Sequence, residues 1–71
     1  MTKDIFDQMV EQWPSAVVSR GEIERFTGGM ISGKYLANLD SQKMGPERVK
    51  MGRKVGYPVN GLAAWLRERS K

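Results

Sequence analysis

The sequence predicts a single small domain, mainly α with a small β-hairpin. Three observations predict it. Two short helical patterns are joined at a pair of glycines, Gly28 and Gly29. The apolar period then drops from three or four to two after Gly45 and Pro46, and a last helical pattern runs from Asn60. With 71 residues the chain has room for one core. A domain of that size buries only about 60% of the surface its unfolded chain exposes. The expected division is 3–13 for an extra N-terminal helix, 19–42 for a helix pair, 47–58 for a hairpin and 60–69 for a closing helix.

Each element has its own signals. Thr2 is placed to cap the first helix, residues 3–13. Ile5, Phe6, Met9, Val10 and Trp13 recur there at helical spacing, with Asp4 and Asp7 at the favourable end of the macrodipole and Pro14 as the stop. The stripe is expected to pack on the core. Ser15 to Val18 reads as a connector in which Val17 and Val18 add a scrap of extended chain. Ser19 and Glu22 have the spacing of a capping box ahead of a short helix near 20–27, with Ile23 and Phe26 inward. Gly28 and Gly29 end it, and Met30 and Ile31 are expected to plug the space between the helices. Ser32 caps the next helix, 33–42, with Leu36 and Leu39 inward. Val49, Met51, Val55 and Tyr57 are expected to face the core from the hairpin. Its turn is Gly52-Arg53 and its outward residues are cationic. Asn60 is placed to cap the last helix, 61–69, which buries Leu62, Ala63, Trp65 and Leu66. Trp65, Trp13, Phe6, Phe26 and Tyr57 all fall on apolar faces, which makes them core rather than exposed platforms for single-stranded bases.

Charge is distributed unevenly. The formal net charge is +4, and the isoelectric point is about 9.8. Residues 1–40 hold four bases against six acids, whereas 41–71 hold eight bases against Glu47 and Glu68. A domain this basic, with its cations concentrated in one half, points to a polyanionic partner.

The helix pair with its glycine turn is the pattern of a helix-turn-helix, and a basic hairpin after it makes the expected fold a winged helix-turn-helix. On the second helix Lys34, Tyr35, Asn38, Ser41 and Gln42 share the face opposite Leu36 and Leu39, with Ser32 and Lys43 at its two ends. All bear hydrogen-bonding groups, none is acidic, and Asn and Gln pair bidentately with adenine in the major groove. Asp40 is expected to lie to one side of this face. Arg48, Lys50, Arg53 and Lys54 supply cations for phosphates, with Arg53 at the tip placed for a narrow minor groove. Double-stranded DNA is the expected partner, with room for self-association on DNA or for a recombinase.

Val17 to Arg69, about three-quarters of the chain, resembles the small AlpA-like and excisionase-like helix-turn-helix proteins, which are related to the DNA-binding module of MerR regulators. ISGKYLANLDSQKMGP resembles the family's recognition helix and Gly-Pro exit. VKMGRKVGYPV resembles its wing, and NGLAAWLRER its closing helix. The resemblance implies sequence-specific duplex DNA binding, by a transcription regulator or a recombination directionality factor of a phage or mobile element. Relatives often carry arginines at the positions of Asn38 and Asp40 and a base at that of Gly56, so this helix leans less on phosphates and leaves more to the wing. Residues 3–13 lie outside the resemblance. Together with Asp40, they motivate a rival reading: a protein-interaction module, such as a phage-encoded inhibitor or antirepressor on the same fold.

Other chemistries find little support. Cysteine and histidine are both absent, which removes thiolate metal sites, disulfides and Ser-His or Cys-His pairs. GGMISGK lacks the spacing of a phosphate loop. No enzymatic activity, catalytic residue, metal, cofactor or small-molecule substrate is expected. The N-terminus reads as neither a signal peptide nor a membrane span, so a cytoplasmic, nucleoid-associated location is expected.

Overall fold

A computed structural model describes residues 3–70. It contains four α-helices and a three-stranded antiparallel sheet, in the order α1 (Ile5–Gln12), β1 (Val17–Ser19), a 3-10 turn (Arg20–Glu22), α2 (Ile23–Phe26), α3 (Gly33–Ser41), β2 (Val49–Met51), β3 (Lys54–Pro58) and α4 (Val59–Arg69). The strand order is β1-β3-β2. Val18, Ile23, Phe26, Leu36, Tyr57, Val59 and Leu62 form the core, which therefore draws on both α2 and α3, two strands and α4. Among the described residues no helix is long and apolar enough to cross a membrane.

The cap of α1 is Asp4, whose carboxylate accepts the Asp7 amide at 2.9 Å; Thr2 lies outside the described residues. α1 packs on the core only along Met9 and Val10, with Trp13 just beyond its end, and leaves Ile5 59% exposed. The Arg67 guanidinium clasps it to α4 by donating to Asp4 at 2.7 and 2.9 Å and to Asp7 at 2.9 Å. Past Pro14 the chain turns back. The Trp13 indole donates to the Val17 carbonyl at 3.0 Å and meets the Phe26 ring edge-on at 5.4 Å.

The two valines expected to add a scrap of extended chain form a full strand. Val17, Val18 and Ser19 pair with Pro58, Tyr57 and Gly56. Gly56 makes this pairing close, because a β-carbon there would collide with the Val17 side chain. The expected capping box does not form. Ser19 is the last residue of β1, and its hydroxyl turns to the Glu22 carboxylate at 3.4 Å instead of capping an amide.

α2 ends as expected, with Gly28 and Gly29 at φ 65° and 87°, where glycine pays no steric cost. The turn that follows is braced by Thr27. Its hydroxyl donates to the Ile23 carbonyl at 2.9 Å and accepts the Ile31 amide at 3.3 Å. Only half of the expected plug is present: Ile31 packs against the core, but Met30 is 83% exposed. Gly33 then passes so close to the Arg20 carbonyl that no side chain fits between them.

The hairpin turn is Gly52-Arg53, with Gly52 at φ 62°. Its inward face differs from the expected one. Val49, Lys50 and Met51 pair with Gly56, Val55 and Lys54. Directly paired residues project from the same sheet face. Lys50 therefore shares a face with Val55, Tyr57 and Val18, while Val49 and Met51 share the opposite one with Val17 and Lys54. The two-residue loop sets this register, and alternation along each strand alone does not. Met51 is accordingly 64% exposed.

α4 follows β3 without a loop. Pro58 occupies the cap position, and the Val59 amide donates to the Ala16 carbonyl at 2.8 Å. The expected cap, Asn60, is instead an exposed residue of the first turn. A main-chain acceptor from the neighbouring connector makes a side-chain cap unnecessary.

The Arg67 clasp gives this fold an acid sensitivity. Hydrogen bonds from Arg67 hold the Asp4 carboxyl down to about 2, well below its ordinary value. A depressed carboxyl contributes stability that is complete above its unfolded value of about 3.9 and is lost as pH falls through its folded one. Melting temperature is therefore expected to fall between pH 4 and pH 2. Asp4→Asn should flatten that limb and leave the slope above pH 5 unchanged, as read by circular dichroism.

Candidate nucleic-acid interface

α3 and the hairpin are held together through one carboxylate. Asp40 faces inward one turn after Leu36 and is 7% exposed. Its Oδ2 accepts from Arg20 Nη2 at 2.7 Å and from the Tyr57 hydroxyl at 2.7 Å, while Arg20 Nε donates to the same hydroxyl at 3.1 Å. Arg48, on the approach to β2, lies 3.6 Å from Oδ1. Oδ1 is buried and accepts no hydrogen bond, and Gly45 packs against it so closely that a β-carbon would collide. Four chain segments thus meet at Asp40: the 3-10 turn, α3, the approach to β2, and β3. The buried Tyr57 hydroxyl is pushed above its ordinary value, by burial and by donating to Asp40. The Arg20 guanidinium is likewise raised, by its bonds to Tyr57 and Asp40. Asp40 therefore does not lie to one side of the exposed face, and it no longer motivates a protein-docking surface.

With Asp40 inside, the outer face of α3 carries no acid. Lys34, Asn38, Gln42 and Lys43 are exposed, with no side-chain hydrogen bond to the rest of the described residues. Three other expected site residues are already engaged. The Ser32 hydroxyl accepts the Tyr35 amide at 3.1 Å as the helix cap, and the Ser41 hydroxyl donates to the Asn38 carbonyl at 2.7 Å. The Tyr35 ring turns toward α4, where its hydroxyl accepts from Arg69 at 3.0 Å.

On the hairpin, Arg53 and Lys54 are exposed at and beside the turn. Lys50 shares the sheet face of Tyr57, whose hydroxyl reaches Asp40 on α3, so Lys50 projects on the side of the sheet that looks at α3. Arg48 lies on that side too. Lys34, Asn38, Gln42 and Lys43 are thus exposed along α3 and its exit, and Arg48 and Lys50 lie on the sheet face that bears Tyr57. Arg53 sits at the turn, Lys54 projects from the opposite sheet face, and Tyr35 sits apart.

α3 ends where expected, running Gly33–Ser41 with Gln42 as its C-cap. Lys43, next after the cap, is the one non-glycine residue with positive φ (61°) among the described residues. The Lys43 amide donates to the Asp40 carbonyl at 3.0 Å, and the Met44 amide to the Leu39 carbonyl at 2.9 Å. This is the Schellman pattern, whose left-handed residue is usually glycine. A lysine held there keeps an exposed cation at the exit of α3 at a backbone cost. Arg20, Tyr57, Gly45 and Thr27 were not singled out from the sequence for these roles. The available signal was Asp40 itself, a lone acid four residues after a core leucine.

No family model matches the chain, and neither a curated protein nor a solved structure does.

Two stability outcomes follow. Asp40→Ala strands the buried Tyr57 hydroxyl and the Arg20 guanidinium, and is expected to cost about 3–5 kcal/mol in urea unfolding. Lys43→Gly relieves the left-handed strain but adds unfolded-state entropy, so its net gain should not exceed about 1 kcal/mol in the same measurement.

Proposed function

We propose that the protein binds double-stranded DNA in a sequence-specific manner, as a winged helix-turn-helix domain. α2, the 27–32 turn and α3 act as the helix-turn-helix, and β2 and β3 act as the wing. The observation that carries this reading is the acid-free face that the inward turn of Asp40 leaves on α3, with free amide and ammonium groups, on a helix tied through Asp40 and Tyr57 to a hairpin that bears cations. Asn38 and Gln42 have the donors and acceptors to read adenine edges in a major groove. Lys34, Lys43, Lys50 and Lys54 supply the charge that holds phosphates, and Arg53 is free at the tip for a phosphate or a narrow minor groove. The resemblance to excisionase-like proteins supports the same reading, with transcription control or recombination directionality in a mobile element as its setting.

A duplex selected from a random library provides the test. Affinity should fall steeply with salt as counterions are released. Asn38→Ala should cost about 1–3 kcal/mol on the selected site and blur discrimination at one base pair. Arg53→Ala should keep the melting temperature and lower the salt slope by about 1. Binding indifferent to salt, or equal for wild type and both variants, would overturn the proposal and favour a protein partner.

A further inference from the structure

α1, the 27–32 turn and α4 line a groove of about 500 Å3. Phe6 and Met9 line one wall, Trp65 and Leu66 the other, and Ile31 lies between them. Met30 stands at the lip, 83% exposed. This volume is within the range of sites that enclose small organic ligands, about 300–1,000 Å3, and so is the composition of apolar and aromatic walls with few polar groups. A flexible methionine at the lip suits a mouth that adapts to its ligand.

The polar end of the groove has one sign of charge. Arg69 is its only charged lining residue among the described residues. Its partners are the Tyr35 hydroxyl at 3.0 Å and the Trp65 ring, over which the guanidinium lies at 4.7 Å. Neither is an anion. The neighbouring Arg67 differs, since Asp4 and Asp7 neutralise it. Arg69 thus presents, with no anionic partner among the described residues, a planar fork of donors at the end of an apolar trough, the geometry that takes a carboxylate in bidentate fashion. A cationic ligand is disfavoured, because Arg69 already covers the Trp65 face and repels it.

From this charge complementarity and size we infer that the groove is a binding site for a small amphipathic carboxylate. Its apolar body lies between α1 and α4, and its carboxylate pairs with Arg69. The ligand is a mono-anion with an alkyl or aromatic body, and the site adjoins α3 through Tyr35.

The test titrates decanoate, and separately decanol, into the full chain without DNA, so its result is independent of the proposed function. The readout is the indole N–H resonances of the two tryptophans. The expected result is a saturable shift of the Trp65 indole with decanoate and little movement of Trp13, which is held by Val17 outside the groove. Decanol should bind at least about tenfold more weakly, the loss of one charge-assisted contact. Arg69→Gln, with its fold checked by circular dichroism, should weaken decanoate to the decanol level. Arg25→Gln removes an exposed cation elsewhere and should leave decanoate binding intact. The inference is overturned by the absence of a saturable shift, by equal affinities for decanoate and decanol in the wild type, or by an equal loss in Arg25→Gln.

Discussion

The burial of the Asp40 carboxylate is the constraint on which the rest of the molecule depends. Removing a carboxylate from water costs several kcal/mol, and the cost is repaid only where donors of good geometry surround it. Here the Tyr57 hydroxyl and the Arg20 guanidinium supply those donors, both at 2.7 Å from a single oxygen. The arrangement adds little net stability over an apolar core. What it supplies is orientation, because the bonds are directional, whereas the core packing that also joins these segments is not. The angle between α3 and the hairpin is therefore set by hydrogen-bond geometry as well as by side-chain volume.

This has a consequence for electrostatics. An acid on the outer face of α3 would repel a polyanion, but Asp40 is turned inward and neutralised by Arg20, with Arg48 nearby. The surface left behind is more positive than the helix sequence suggests. Other acids are tied down as well: Asp4 and Asp7 by Arg67, and Glu22 by Arg25. Lys34, Lys43, Lys50, Arg53 and Lys54 have no such partner among the described residues.

α1 serves a different end. It covers the edge of the core with Met9 and Val10, and Trp13 follows, but its first turn stands clear and is held to α4 by surface ion pairs. Salt and low pH weaken such contacts before they touch the core. Between the two helices lies the groove, an apolar trough that this small core does not fill. On α3, Tyr35 lines this groove while Lys34 beside it is exposed.

Much of this was determined by the sequence alone. Four helical patterns, the glycine turn after α2, the Ser32 cap, the Gly52-Arg53 hairpin and the acid-free outer face of α3 all rest on local rules: period, capping chemistry and the conformational freedom of glycine. Those rules act within a few residues, so they are legible in one dimension. Only the tertiary structure decided the rest. Val17 and Val18 became a strand because β3 offers its edge. Asn60 lost its capping role because Ala16 supplies a carbonyl, and Lys43 took the left-handed position ahead of Gly45. Val49 and Met51 faced outward because the hairpin register, fixed across strands, overrides alternation along one. The inward turn of Asp40 was decided in the same way. Its partners Arg20 and Tyr57 are 20 and 17 residues away, and no local pattern can announce a bond whose acceptor and donors meet only when the chain is folded.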